Sequence, residues 1–63
     1  MRKNLKEARA AAGLTQQQMA DKLGISSRHY KYMEAGKIVG SVELWDILED
    51  ITGIHQRKLR ENE

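Results

Sequence analysis

The side chains best suited to binding chemistry lie in the middle of the chain. Arg28 carries a planar guanidinium with five N–H donors, and Lys31 and Lys37 carry ammonium groups. Such donors bind carboxylates, phosphates and the acceptor atoms of a guanine base. The hydroxyls of Ser27 and Tyr32 lie close by in the sequence and both donate and accept hydrogen bonds. This set of groups favours a surface that binds an anionic, acceptor-rich partner.

Catalytic and metal-binding chemistry finds little support in the sequence. Cysteine is absent, and His29 and His55 are far apart without the neighbouring ligands that a metal site needs. No nucleophile stands at a spacing from a base that indicates catalysis, and no glycine-rich loop is present to cradle a phosphate. We therefore expect no enzyme activity, no metal and no cofactor.

Two short helices joined by a tight turn are predicted to position the donors. Met19 and Leu23 are apolar at i and i+4, as on the inner face of a helix. Gly24 follows, where a chain that leaves a helix often needs φ > 0. Ser26 is placed to cap the next helix, and Ala20 is small enough for the two helices to pack closely. This pattern is typical of a helix-turn-helix, whose second helix enters the DNA major groove.

Helical periodicity extends over nearly the whole chain, and no segment shows the two-residue alternation of a strand. We therefore expect an all-α fold, a single five-helix domain over residues 1–63. The helices are expected over residues 2–12, 16–23 and 27–35, between Ser41 and Gly53, and over 55–61, with the helix-turn-helix proper over 16–35. The expected core is Leu5, Ala8, Leu14, Met19, Ala20, Leu23, Ile25, Tyr30, Met33, Leu44, Ile47, Leu48, Ile51, Ile54 and Leu59.

The outer face of the third helix follows from its inner face. Tyr30 and Met33 are three residues apart and are expected to point into the core. The side chains of Ser27, Arg28 and Tyr32 then point outward, and so does the side chain of Lys31. On this face Arg28 is placed to make the bidentate contact to guanine O6 and N7, one of the commonest specific contacts with DNA. An ordinary solvated helix face is the alternative interpretation.

Basic charge is concentrated in the first part of the chain. Residues 1–40 carry eight Lys and Arg against three Asp and Glu, whereas residues 41–63 carry three against six. A basic region that contains the two predicted helices fits an electrostatic footprint for phosphate. Ordinary surface charge explains the same distribution equally well.

The residues 5–37, LKEARAAAGLTQQQMADKLGISSRHYKYMEAGK, resemble the DNA-binding domains of the Cro/lambda-repressor family of phage and bacterial regulators. The chain departs from the family at Tyr30, where Ile or Val is usual, and in the loop KIVGS, 37–41, which lacks a frequent proline. The resemblance implies a five-helix fold and a cytoplasmic protein of bacterial or phage origin. It rests on the joint spacing of Gln16, Met19, Ala20, Leu23, Gly24, Ile25, Met33 and Gly36.

The resemblance also implies roles for individual residues. The family's base-reading positions in the third helix correspond to Ser27, Arg28 and Tyr32. Gln16 corresponds to a Gln that touches the DNA backbone and steadies a side chain of the third helix. A solvated side chain is the alternative for each of these positions. The expected phosphate contacts are Gln16, Gln17, Lys31 and Lys37.

Arg9 and Glu34 are expected to have a structural role. Arg9 falls on the apolar face of the first helix, and Glu34 borders the inward face of the third. In the resembling family the residues at these positions form an ion pair that joins the two helices. A partly buried pair specifies packing more than it stabilises, although removal of one partner leaves the other charge stranded.

Trp45, the only tryptophan, has two interpretations. It either covers a thin core or anchors a two-fold dimer contact, because aromatic residues are enriched at the centres of interfaces. In the second case Val42 and Val39 extend the candidate dimer patch.

We therefore expect a repressor-like transcriptional regulator that binds double-stranded DNA. One module offers limited contact, so a homodimer on an inverted repeat is expected, with half-sites about 34 Å apart. The alternative is a protein-interaction module that keeps the helix-turn-helix fold and docks a partner, such as a toxin, through the apolar patch around Trp45.

Overall fold

The computed structural model describes residues 1–62 and contains five α-helices and no strand in that range. The predicted all-α class is confirmed. Glu63, which the predicted domain includes, lies outside the described residues. The helices are α1 (Lys3–Ala11), α2 (Gln16–Leu23), α3 (Ser27–Ala35), α4 (Val42–Thr52) and α5 (Gln56–Leu59).

Side-chain caps determine where the helices that position the outer face begin. Thr15 and Gln18 form a capping box at the start of α2, with Thr15 Oγ1 accepting from the Gln18 amide. The Ser26 hydroxyl accepts from the His29 amide at the start of α3. Gly24 ends α2 at φ 72°, a conformation that costs little only for a residue without Cβ. The turn between α2 and α3 is therefore encoded locally.

The core lies between the inner faces of the five helices, with α2 and α3 packed directly on each other. Leu14, Ile25, Ile51 and Ile54, which were expected in the core, are partly buried and pack against it. The buried apolar residues of the core are Leu5, Ala8, Met19, Ala20, Leu23, Tyr30, Met33, Leu44, Trp45, Leu48 and Leu59.

The prediction that Ile47 belongs to the core is wrong, because its side chain is 36% exposed. Trp45 is buried instead, and its indole N–H donates to the Val39 carbonyl at 2.7 Å. α4 is thus rotated so that Trp45, and not Ile47, lies on its inner face. Burying the large indole removes more apolar area from water than burying an isoleucine.

Arg2 is a buried cation, which its position in the sequence does not predict. Its side chain donates to the carbonyl oxygens of Met33 at 2.6 Å, Ile38 at 2.7 Å and Arg60 at 3.2 Å. Its guanidinium carbon also lies 5.3 Å from the centre of the Trp45 ring. Burial, followed by the nearby Arg60 cation, lowers the pKa of Arg2. The end of α3, the loop after it and the segment after α5 are therefore held by one side chain.

We expect Arg2→Met to lower the free energy of unfolding by about 2–3 kcal/mol, because it leaves buried carbonyl oxygens without their donor. Urea denaturation followed by circular dichroism measures this change. Lys3→Met is the matched control, since Lys3 is exposed, and we expect it to change stability by at most about 0.5 kcal/mol. Equal stabilities for the two variants would contradict this role of Arg2.

Candidate nucleic-acid interface

Two buried side chains mark the inner face of α3. Tyr30 and Met33 are completely buried in the core. Arg28 and Tyr32 are exposed on the opposite side of the helix, and Ser27 is half-buried at its first turn. The structure therefore brings the three predicted base-reading residues onto one outward face.

Arg28 is available to a ligand. Its side chain makes no hydrogen bond or ion pair with any other residue in the range 1–62. Because Arg28 is in the first turn of α3, its guanidinium extends from the end of the helix that reaches base edges in a helix-turn-helix. An unpaired guanidinium at this position has its full set of donors free for a base or a phosphate.

Tyr32 and Lys37 are adjacent on the surface at the other end of α3. Gly36 ends the helix at φ 78°, and the Lys37 amide then donates to the Tyr32 carbonyl at 2.9 Å. This reversal places the Lys37 ammonium 5.6 Å from the centre of the Tyr32 ring. Tyr32 is 41% exposed, so a predicted base contact and a predicted phosphate contact are combined in one surface feature.

A buried ionic network joins α1, α2 and α3. Arg9 Nε lies 2.7 Å from Glu34 Oε2, and the Glu34 side chain is 3% exposed. Gln16 Nε2 donates to the other carboxylate oxygen at 3.1 Å. Arg9 also donates to the Leu14 carbonyl at 2.7 Å. The hydrogen bond to Glu34 raises the pKa of Arg9, which favours the charged form of the guanidinium.

The remaining predicted phosphate contacts differ in whether their side chains already bind another residue of the protein. Gln16 uses one of its amide N–H groups on the Glu34 carboxylate. Gln17 donates to Asp21 Oδ1 at 2.9 Å within α2. Lys31 is exposed and lies with Gln16 at the edge of a surface recess. Of these three, only Lys31 is charged, and its side chain makes no hydrogen bond or ion pair within residues 1–62.

The basic character of residues 1–40 is not all available to a ligand. Arg2 and Arg9 are directed into the molecule, where they hold carbonyl oxygens and a carboxylate. Half of the exposed cations in this range lie on α3 or directly after its C-terminal glycine. The exposed cations are Lys3, Lys6, Lys22, Arg28, Lys31 and Lys37. The outward basic charge is therefore concentrated around α3 more than the sequence count suggested.

The structure corrects the candidate dimer patch. Trp45 is only 1% exposed, so it presents almost no area to a partner and takes the core role instead. Val39 and Val42 are exposed at 57% and 66%. The exposed apolar area of the candidate dimer patch consists of these two valines without the tryptophan.

The Tyr30 hydroxyl is the buried side-chain polar atom in residues 1–62 that lacks a hydrogen-bond partner. The Arg9–Glu34 ion pair acts on this hydroxyl electrostatically. Burial, followed by the effects of Glu34, raises the pKa of Tyr30, while Arg9 opposes the shift. Burial of this neutral hydroxyl costs desolvation free energy that no hydrogen bond offsets.

We expect Tyr30→Phe to fold at neutral pH with a stability equal to that of the parent or up to about 1 kcal/mol higher, because the substitution removes an unsatisfied hydroxyl. Urea denaturation tests this expectation. A loss of stability would contradict it and would indicate that the hydroxyl has a partner.

The same variant tests the pKa of Tyr30. Above about pH 10 an unfolded tyrosine ionises, whereas buried Tyr30 stays neutral. The unfolded state then binds fewer protons, so the free energy of unfolding falls as pH rises. We expect the parent to lose stability above about pH 10 relative to Tyr30→Phe. Parallel pH profiles for the two proteins would contradict the shift.

The comparisons with known proteins agree with this geometry. Residues 2–62 match a family model described as a helix-turn-helix domain. No curated protein and no solved structure gives a significant match. None of the helices in residues 1–62 is both long and apolar enough to span a bilayer. The match covers nearly the whole chain and agrees with the resemblance to Cro and lambda repressor, so the chain belongs to the helix-turn-helix domain family of DNA-binding proteins.

Proposed function

We propose that this protein is a sequence-specific transcriptional regulator of the repressor type, with α3 lying in the major groove of double-stranded DNA. Arg28, Ser27 and Tyr32 read base edges. The observation that carries the proposal is the exposed, unpaired guanidinium of Arg28 at the start of α3. A bidentate Arg contact to guanine is worth about 1–3 kcal/mol of discrimination against the wrong base.

Phosphate contacts fix the protein on the duplex. Lys37 and Lys31 supply ammonium groups at the end and on the flank of α3, and Gln16 and Gln17 occupy the first turn of α2. The first amides of a helix and its dipole favour an anion at that end. These contacts set register and orientation and carry no sequence information.

Two copies bind an inverted repeat as a homodimer, acting in the cytoplasm of a bacterium or on a phage genome. A single helix of nine residues reads only a few base pairs, so pairing two of them is the common route to a specific site. The exposed valines Val39 and Val42 offer apolar area for such pairing. The whole of residues 1–63 forms one domain in this proposal.

Arg28→Ala tests the readout. We expect it to weaken binding to the selected site by about 1–3 kcal/mol and to relax the preference at one base position. Gel shifts with the selected duplex and a random-sequence duplex measure both effects. Equal binding of parent and variant to both duplexes would refute the assignment of Arg28.

Lys37→Ala is the matched comparison, since it removes one cation from the same surface. Here we expect weaker binding to all sequences alike and a decrease of about 0.9 in the slope of log K against log salt. A change in base preference for this variant would contradict a phosphate role.

Selection of binding sites from a pool of random duplexes tests the proposed assembly. We expect an inverted repeat whose half-sites have their centres about 34 Å apart, one turn of the duplex. A selected site without two-fold symmetry would argue against the homodimer. Binding that selects no sequence and responds little to salt would favour the protein-interaction module, whose interface is apolar.

A further inference from the structure

We propose that a recess shared by α1, α2 and α3 holds one DNA phosphate between Lys6 and Lys31, which extends the DNA contact onto the first helix. This inference rests on the proposed DNA binding and adds a binding residue, Lys6, that neither the sequence pattern nor the family match assigns. The recess is lined by Met1, Lys6, Gln16, Lys31, Glu34 and Ala35 and has a volume of about 240 Å³.

Three different helices supply the donors that line the recess. Lys6 comes from α1, Gln16 from the first turn of α2 and Lys31 from the middle of α3. Both lysines are exposed, and neither has a carboxylate within 4 Å in residues 1–62. Two unpaired ammonium groups and an amide at one recess form a site for a single anion with several oxygen acceptors.

The carboxylate at the base of the recess does not cancel this charge. Glu34 is bound by Arg9 at 2.7 Å and by Gln16 at 3.1 Å, so its negative charge is already compensated from within the molecule. The charges of Lys6 and Lys31 are consequently available to an external ligand. With Arg9 counted, the side chains around the recess carry three cations against one anion.

The position of the recess favours a phosphate of the same duplex that α3 reads. Lys31 and Ala35 belong to α3, and Gln16 begins the helix that packs on it. The recess therefore borders the face that carries Arg28. A duplex seated on that face presents phosphates along both sides of its groove, and those on the α1 side come nearest to Lys6.

Lys6→Ala tests the proposal, with Lys58→Ala as the matched control. Lys58 is also an exposed helical lysine, but it borders a different depression, which is lined by Asn4, Glu7 and Ala8. Affinity for a short random-sequence duplex, measured over a range of salt concentrations, needs no knowledge of the operator. Circular dichroism establishes that both variants remain folded.

We expect Lys6→Ala to lower the slope of log K against log salt by about 0.9 and to weaken binding about eightfold at 0.1 M salt, the loss that one phosphate contact implies. Lys58→Ala should stay within about twofold of the parent. With the selected duplex, ethylation of one phosphate should impair the parent and Lys58→Ala more than Lys6→Ala, which keeps only the Lys31 ammonium at that phosphate.

The outcomes separate this inference from the function on which it rests. If Lys6→Ala binds like the parent while Arg28→Ala and Lys37→Ala are weakened, the phosphate site at Lys6 is wrong and the DNA-binding function stands. If Lys6→Ala and Lys58→Ala weaken binding equally, the effect is one of general charge and the recess is not a site. If the parent binds no duplex at any salt concentration, both proposals fail.

Discussion

One buried carboxylate, Glu34, constrains how the first three helices are arranged. The Glu34 carboxylate is buried away from water, so its negative charge must be compensated by donors inside the protein. Arg9 of α1 and Gln16 of α2 provide that compensation at 2.7 Å and 3.1 Å. The geometry of these bonds fixes the rotation of α3 against both neighbours. It follows that Tyr30 and Met33 face inward and Arg28 faces outward.

A second buried charge, the Arg2 guanidinium, binds the same C-terminal end of this helix. Among residues 1–62, Arg2 has no carboxylate partner, and it binds the backbone carbonyls of Met33, Ile38 and Arg60 instead. The C-terminal end of a helix is the negative end of its dipole, so a cation there is well placed. The C-terminal end of α3 is thus held at Glu34 by side chains from α1 and α2 and at the Met33 carbonyl by Arg2.

Local rules predicted most of the fold, because caps, glycines and apolar spacing act over a few residues. Ser26 and Gly24 mark helix boundaries in the sequence that the structure reproduces. The errors arose where tertiary packing decides. Helical spacing puts Ile47 in the apolar stripe of α4 and Trp45 beside it. Contacts from other elements, the Val39 carbonyl and Arg2, accompany the burial of the indole and are not visible in that spacing. Arg2 and Lys6 lie on α1 or next to it, where nothing in the sequence shows which element they will meet.

The central claim is that the outward face of α3 is the surface that meets DNA. Titration of isotope-labelled protein with a selected duplex, followed through the backbone amide resonances, tests it most directly. The account predicts that the largest shifts occur at Ser27, Arg28 and Tyr32, while the exposed side of α4 around Ile47 changes little. Large shifts confined to α4, with α3 unaffected, would contradict it.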